Sequence, residues 1–519
     1  MVYPVPAVAG TAGYRGIPMR KGIVTLVALT FFAPMTASAA ESVNFALVQP
    51  DVLGVTDALS NAWADYDNDG DLDLAVAFEY GILKLFQNNA GVFTDVSAKA
   101  GLGLVGGATA EALKPIELRS AAWGDYDGDG HVDLYVGTRF AGTGTPPALN
   151  RSYLYRSNGN GTFTEVAVKM GVDAPAASVR QASFIDLDGD ADLDLFMADR
   201  NGANRMFRND GSVFVDIAEK VGLADKRFTV GVCWFDMDKD GDLDSFVANQ
   251  DGGTDAFYRN DKGQFTDIAA KLGMDQPGRA KDEGGVGCSI TDYDNDGHLD
   301  IFVATYGENL LYRNNGNATF TNVAPTMGFT GHGHNVGASW GDFDNDGLVD
   351  IFVADYHDNE PHNRLFRNTG KTFVDVITPV MNGSDHGVQW GDFDGDGDLD
   401  LSLTNAFSKT VARHVLLRND LSAAARAKSL QVMVRDAKGT FAPGAEVRVF
   451  DKAGKLLGAR LVHTGDGYNS QSVAPVHFGL PSADPVTVEV TYVTGKGRVV
   501  QRQQDVRPGA KAITIKRAP

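Results

Sequence analysis

Asp65-Tyr66-Asp67-Asn68-Asp69-Gly70-Asp71-Leu72-Asp73 is the stretch that decides how this chain is read. Carboxylates stand at positions one, three, five and nine, with Gly at position six. The pattern returns six times. Its four acids are Asp125, Asp127, Asp129 and Asp133 in the second copy, then Asp186, Asp188, Asp190 and Asp194. They are Asp236, Asp238, Asp240 and Asp244 in the fourth, then Asp292, Asp294, Asp296 and Asp300. The last two copies supply Asp342, Asp344, Asp346 and Asp350, then Asp392, Asp394, Asp396 and Asp400. Only the third copy departs, with Ala191 at position six. Starts lie 50 to 61 residues apart, the length of a four-stranded propeller blade.

The flanks repeat as well. Two residues before the first Asp stand Trp63, Trp123, Phe184, Trp234, Ile290, Trp340 and Trp390. A large side chain at one fixed place in each unit is a packing device between stacked sheets. An apolar strand follows each loop, then a strand ending in or near Arg-Asn, an Asn/Asp/Gly turn and a closing strand such as Phe93–Val96. The seventh unit reaches Asn419 without its closing strand. The missing strand is expected at Asn44–Val48, so the N-terminus completes the last blade and removes an open edge. An open solenoid would not need this exchange. The expected fold is all-β: a seven-bladed β-propeller over 41–420, a linker at 421–429 and a small β-rich domain at 430–519.

The loops suit calcium, a hard cation that takes about six to eight oxygen ligands. Acids at positions one, three and five converge if the chain turns tightly, and Gly at six permits the turn. Position nine completes the cage. Position seven offers its backbone carbonyl whatever its side chain, here Asp71, His131, Asp192, Asp242, His298, Leu348 and Asp398. Up to seven calcium ions are expected. An EF-hand is excluded because position twelve is apolar and the flanks are β-rich. The Ala191 loop is expected to bind most weakly, since a Cβ in a left-handed conformation costs about 1 kcal/mol.

On these motifs, 44–420 resembles the FG-GAP (VCBS-type) repeat family, whose blades carry calcium loops as in integrin α-subunit propellers. Gly465-Asp466-Gly467-Tyr468-Asn469-Ser470-Gln471-Ser472 and His477-Phe478-Gly479-Leu480 resemble the signature of the ASPIC/UnbV domain. Pro443-Gly444-Ala445 departs from it where an apolar residue is expected before Gly-Ala. The pairing is similar to cartilage acidic protein and its bacterial relatives. The resemblance implies extracellular calcium binding with adhesion or recognition, and supplies no reaction. The tail reads as β at Leu430–Val434, Glu446–Phe450, Leu456–Val462, Val486–Tyr492 and Arg498–Gln501.

Residues 1–40 read as an export signal, with Met19 as the better start. Met19-Arg20-Lys21 precedes an apolar run from Ile23 to Phe32, and cleavage is expected after Ala39 or Ala40. The run is too short for a transmembrane anchor. The mature chain is therefore expected to be secreted or periplasmic, without membrane insertion. A net charge of -21 repels nucleic acid and anionic membranes. The partners left are an extracellular protein or a glycan. Cys233 and Cys288, the only cysteines, sit at neighbouring positions of adjacent units. Export permits a disulfide; two buried thiols are expected, with stacked sheets holding the Cα atoms beyond about 7 Å.

No hydrolase elbow, phosphate loop or zinc-protease helix is present, so no catalytic residue is assigned. One constellation stands apart. The face opposite the calcium loops should receive His332, His334 and Asn335, then His357, Asp358, Glu360 and His362, then Asp385 and His386. Histidine with carboxylate permits a second metal or ligand site. Glu117, Arg119 and Arg180 fall near the same mouth and suit a polar or charged ligand. Two classes follow: an adhesion or ligand-recognition module with structural calcium, or a carbohydrate-active or metal-dependent enzyme with its site at that mouth.

Overall fold

Each Asp-rich loop is followed by a run such as Asp73–Phe78, buried along its whole length. Such a run forms a strand covered on both faces, which a stack of sheets provides. In the first blade it pairs with Ala58–Ala64 on one side and Leu83–Asn89 on the other, and Val92–Asp95 closes the sheet. The computed structural model describes residues 43–143, 147–356, 362–406 and 413–518. The signal segment 1–40 and the residues His357, Asp358 and Glu360 lie outside them.

Seven such four-stranded antiparallel sheets follow one another, the fifth and sixth joined where Asp300–Glu308 pairs with His332–Gly341. The seventh is made of Gly387–Gly391, Asp400–Thr404, Val415–Asn419 and the N-terminal strand Phe45–Leu47. Phe45 lies opposite Asn419 and Leu47 opposite Leu417. Inner strands touch in succession, and that of the seventh sheet touches that of the first, so the ring closes.

The tryptophans lock neighbours together. Trp63 stacks on Phe393 of the seventh blade, and Trp123 Nε1 donates to the Ala62 carbonyl of the first. An Asn at the end of the third strand adds a second tie in four blades. Asn209 Nδ2 donates to Tyr126 O of the preceding blade, and Asn88, Asn368 and Asn419 make the equivalent bond.

Cys233 and Cys288 form a disulfide, with Cα atoms 6.1 Å apart. This corrects the expectation of two thiols. The inner strands approach closely because Gly231 carries no side chain; a Cβ there would lie 2.3 Å from the Val286 carbonyl.

Residues 429–516 form two further sheets. Ser429–Arg435 lies between Val476–Gly479 and Ile513–Lys516; Glu446–Phe450 and Val486–Thr494 lie between Leu456–Leu461 and Gly497–Val506. Their core is shared with the ring: one apolar cluster runs from Leu430, Val432 and Val488 through Val473 to Trp123. The stretch expected as a linker holds a helical turn, Ala423–Arg426, capped by Ser422. Arg426 pairs with Asp396 and Asp398, both at 2.9 Å. Residues 41–519 are one compact unit. No helix among the described residues is long and apolar enough to cross a membrane.

Candidate functional site

Loop geometry repeats with the sequence. In the first copy Asp65 accepts from the backbone N–H of Asp69 and Gly70, at 3.0 and 3.1 Å. Asp73 accepts from Tyr66 N at 3.1 Å and Asn88 N at 2.8 Å, which fixes it between two strands. Gly70 has φ 99°, and Ala191 takes the same role at φ 70°. Position four is also left-handed, at Asn68, Gly128, Gly189, Lys239, Asn295, Asn345 and Gly395. The sequence reading missed this position, although its run of Asn and Gly was a usable signal.

These turns gather carboxylates. Oxygens of Asp65, Asp67 and Asp73 lie within 4.8 Å of one another, as do those of Asp125, Asp127 and Asp133, of Asp236, Asp238 and Asp244, and of Asp292, Asp294 and Asp300. The third copy gathers Asp186, Asp188 and Asp190. Burial, with neighbouring carboxylates adding, pushes Asp73, Asp194 and Asp244 up to about 8. Oδ1 of Asp67, Asp186, Asp236 and Asp394 is buried with no donor. Crowded, acceptor-only oxygens without donors fit a hard cation. Arginines supply part of the compensation: Arg156 pairs with Asp127 at 2.5 Å and Arg313 with Asp294 at 2.7 Å.

The C-terminal sheets cover this loop face. Arg498 pairs with Asp236 at 2.7 Å, and Arg448 donates to the Gly297 carbonyl. From this cap the segment 464–473 passes into the channel of the ring. Thr464 bonds the Trp234 backbone, and Asp466 accepts from Ser339 and Gln389. Gly467 bonds the backbones of Ala338 and Val388. Ser470 and Gln471 pair with Ala121 and Ala122; Gln471 also bonds both backbone groups of Phe184. Ser472 Oγ accepts from Trp63 N at 3.0 Å. The segment 464–473, which contains the Gly465–Ser472 signature, is thus a plug that satisfies inner-strand polar groups of six blades.

Tyr468 is the tip of the plug and meets a ring of equivalent residues, each six positions before the first Asp of its loop. In six inner strands the register shifts at this residue. Such bulges re-aim a side chain. Leu59 occupies the position in the first blade, and Val230, Val286 and Val336 join Tyr468 in one apolar cluster. Arg119 and Arg180 occupy it in blades two and three, and His386 in blade seven, its ring 5.8 Å from that of Tyr468. Burial, then the charges of Arg119 and Arg180, hold His386 well below its usual range.

The other expected mouth residues divide. His332 and His362 line one surface pocket with Asn335 and Asp355. His334 packs edge-on against Tyr306, with centroids 4.8 Å apart. Asp385 is buried, accepts from Asn363, and burial pushes it up to about 7. His386 belongs to the channel ring, apart from the surface pocket that His332 and His362 line.

The sequence matches the FG-GAP-like repeat family over 65–136, 125–197, 186–247, 292–353 and 342–402, and the ASPIC and UnbV family over 435–517. A comparison with curated proteins returns no match. Among solved structures, BBS1N in complex with ARL6DN aligns at TM-score 0.44 and 12% identity, over 74% of this chain and 98% of that one. An Agrocybe aegerita lectin recognising non-reducing terminal N-acetylglucosamine aligns at 0.41 and 18%, over 68% and 87%. The rhamnogalacturonan lyase YesW aligns at 0.34 and 13%, over 92% of each.

Proposed function

The chain belongs to the FG-GAP-like repeat family and carries an ASPIC and UnbV domain, and from that premise we propose that it is an exported ligand-recognition or adhesion module whose ring is held by calcium. The observation that carries this reading is the recurring carboxylate cage, with buried oxygens that lack donors. Asp at positions one, three, five and nine would hold each ion with the carbonyl of position seven, including His131, His298 and Leu348. The ion would neutralise acids that burial otherwise disfavours as anions. The disulfide fits an oxidising compartment.

A site with Kd of about 0.1 mM adds about 1.4 kcal/mol at about 1 mM calcium, so several filled loops matter to a marginal fold. Metal analysis of the purified mature protein should find calcium in several-fold molar excess, up to seven ions. Its melting temperature should fall clearly in chelator. A melt that does not move once the metal is verified as removed would refute the calcium reading.

A further inference from the structure

Arg180 is 7% exposed, and its Nη1 is buried without a hydrogen-bond partner. No carboxylate among the described residues pairs with it. A buried charge without a counter-charge is costly, so its presence calls for an anion. Arg119, on the adjacent blade, is held by Glu117 at 2.7 Å and reaches the Tyr468 hydroxyl at 3.5 Å. Glu117 also accepts from Arg139 at 2.8 Å. Glu79, a further buried carboxylate, faces Glu117 and Arg119. Arg119 and Arg139 share Glu117, and Arg180 has no carboxylate of its own among the described residues.

We propose that Arg180, with Arg119 and Tyr468, binds a single carboxylate on a ligand entering the channel mouth opposite the cap. A guanidinium presents paired N–H donors that match a carboxylate. Glu117, already beside Arg119 at 2.7 Å, disfavours a dianion such as phosphate over a carboxylate. The bulge at this position turns the side chain inward in each of these blades. Burial, then the charge of Arg119, pushes Arg180 down to about 9, as expected of a cation that lacks its anion.

The proposal deepens the recognition reading and is independent of the calcium reading, so it is tested on the mature protein in saturating calcium. Calorimetric titration with sodium glucuronate should show binding, and neutral glucose should show none. Arg180→Gln should weaken glucuronate binding tenfold or more, with Arg180→Lys intermediate. Equal behaviour of glucuronate and glucose, tighter binding of inorganic phosphate, or unchanged binding by Arg180→Gln would each overturn it. A second readout needs no ligand. Arg180→Met removes an unpaired buried charge and should raise the melting temperature without ligand. A lowered value would mean that the fold itself supplies the counter-charge, and the carboxylate site would be lost with it.

Discussion

Ala191 adopts φ 70°, where the other loops place Gly at the same step of the turn. The turn bond at position six is kept: Ala191 N donates to Asp186 at 3.0 Å, as Gly70 N does to Asp65. The strain of a Cβ in this region is about 1 kcal/mol. Ala191→Gly should therefore raise unfolding stability by up to about 1 kcal/mol in denaturant melts. His414 gives a second prediction. It is buried between Ser402 Oγ and the Leu53 carbonyl. Burial pushes it down to about 4, against about 6.5 when unfolded. The unfolded chain takes up its proton first, so this contribution is complete above pH 6.5 and is lost as pH falls towards 4. The loss is about 3 kcal/mol. His414→Gln should flatten the melting temperature against pH across that window relative to wild type. Position six was legible at this scale because its Gly recurs. Arg180's missing partner was not, since burial and pairing belong to the assembled ring.

Among the elements, blades were readable because seven copies repeat one strand order. The register shift six residues before six of the loops was unreadable, because residues as different as Val and Arg occupy it. The plug was hidden for another reason. Ser470 bonds Ser60 across 410 residues, and nothing in Gly465–Ser472 names so distant a partner. Its rigidity makes Gly467 intolerant: φ is 62°, and a Cβ would lie 1.8 Å from the Val388 carbonyl. Gly467→Ala should cost about 3 kcal/mol or more, read as a lowered melting temperature. The disulfide joins inner strands of blades four and five across 55 residues. A loop of that length corresponds to about 4 kcal/mol on the chain-entropy account. Cys233→Ser with Cys288→Ser should destabilise by that order, and added reductant should then leave the melt of the double variant unchanged.

At the scale of the molecule, cap and ring share apolar surface and cannot be treated as separate bodies. Val473 and Val476 sit in the same cluster as Trp123, and Arg498 and Gln431 reach acids of the loop face. A chain ending at Lys428 should therefore expose this surface. It should melt well below the full chain and bind a hydrophobic dye such as ANS in the absence of denaturant. Closure of the ring was legible, because the seventh unit lacks a strand that the N-terminus supplies. The depth to which the tail enters the ring was not, because its own strands resemble those of an independent β module. That closure also sets an order in time. Phe45–Leu47 is made before every other strand among the described residues, yet its partner Val415–Asn419 comes after all the other blades, and the plug later still. Until Ser472 has emerged, the channel stays open, and until Val415–Asn419 is made the seventh sheet cannot close the ring, so the assembled ring cannot finish folding early. For a chain that must be threaded through a membrane before it folds, as the export proposal requires, such postponement keeps it in a transportable state until its last residues arrive.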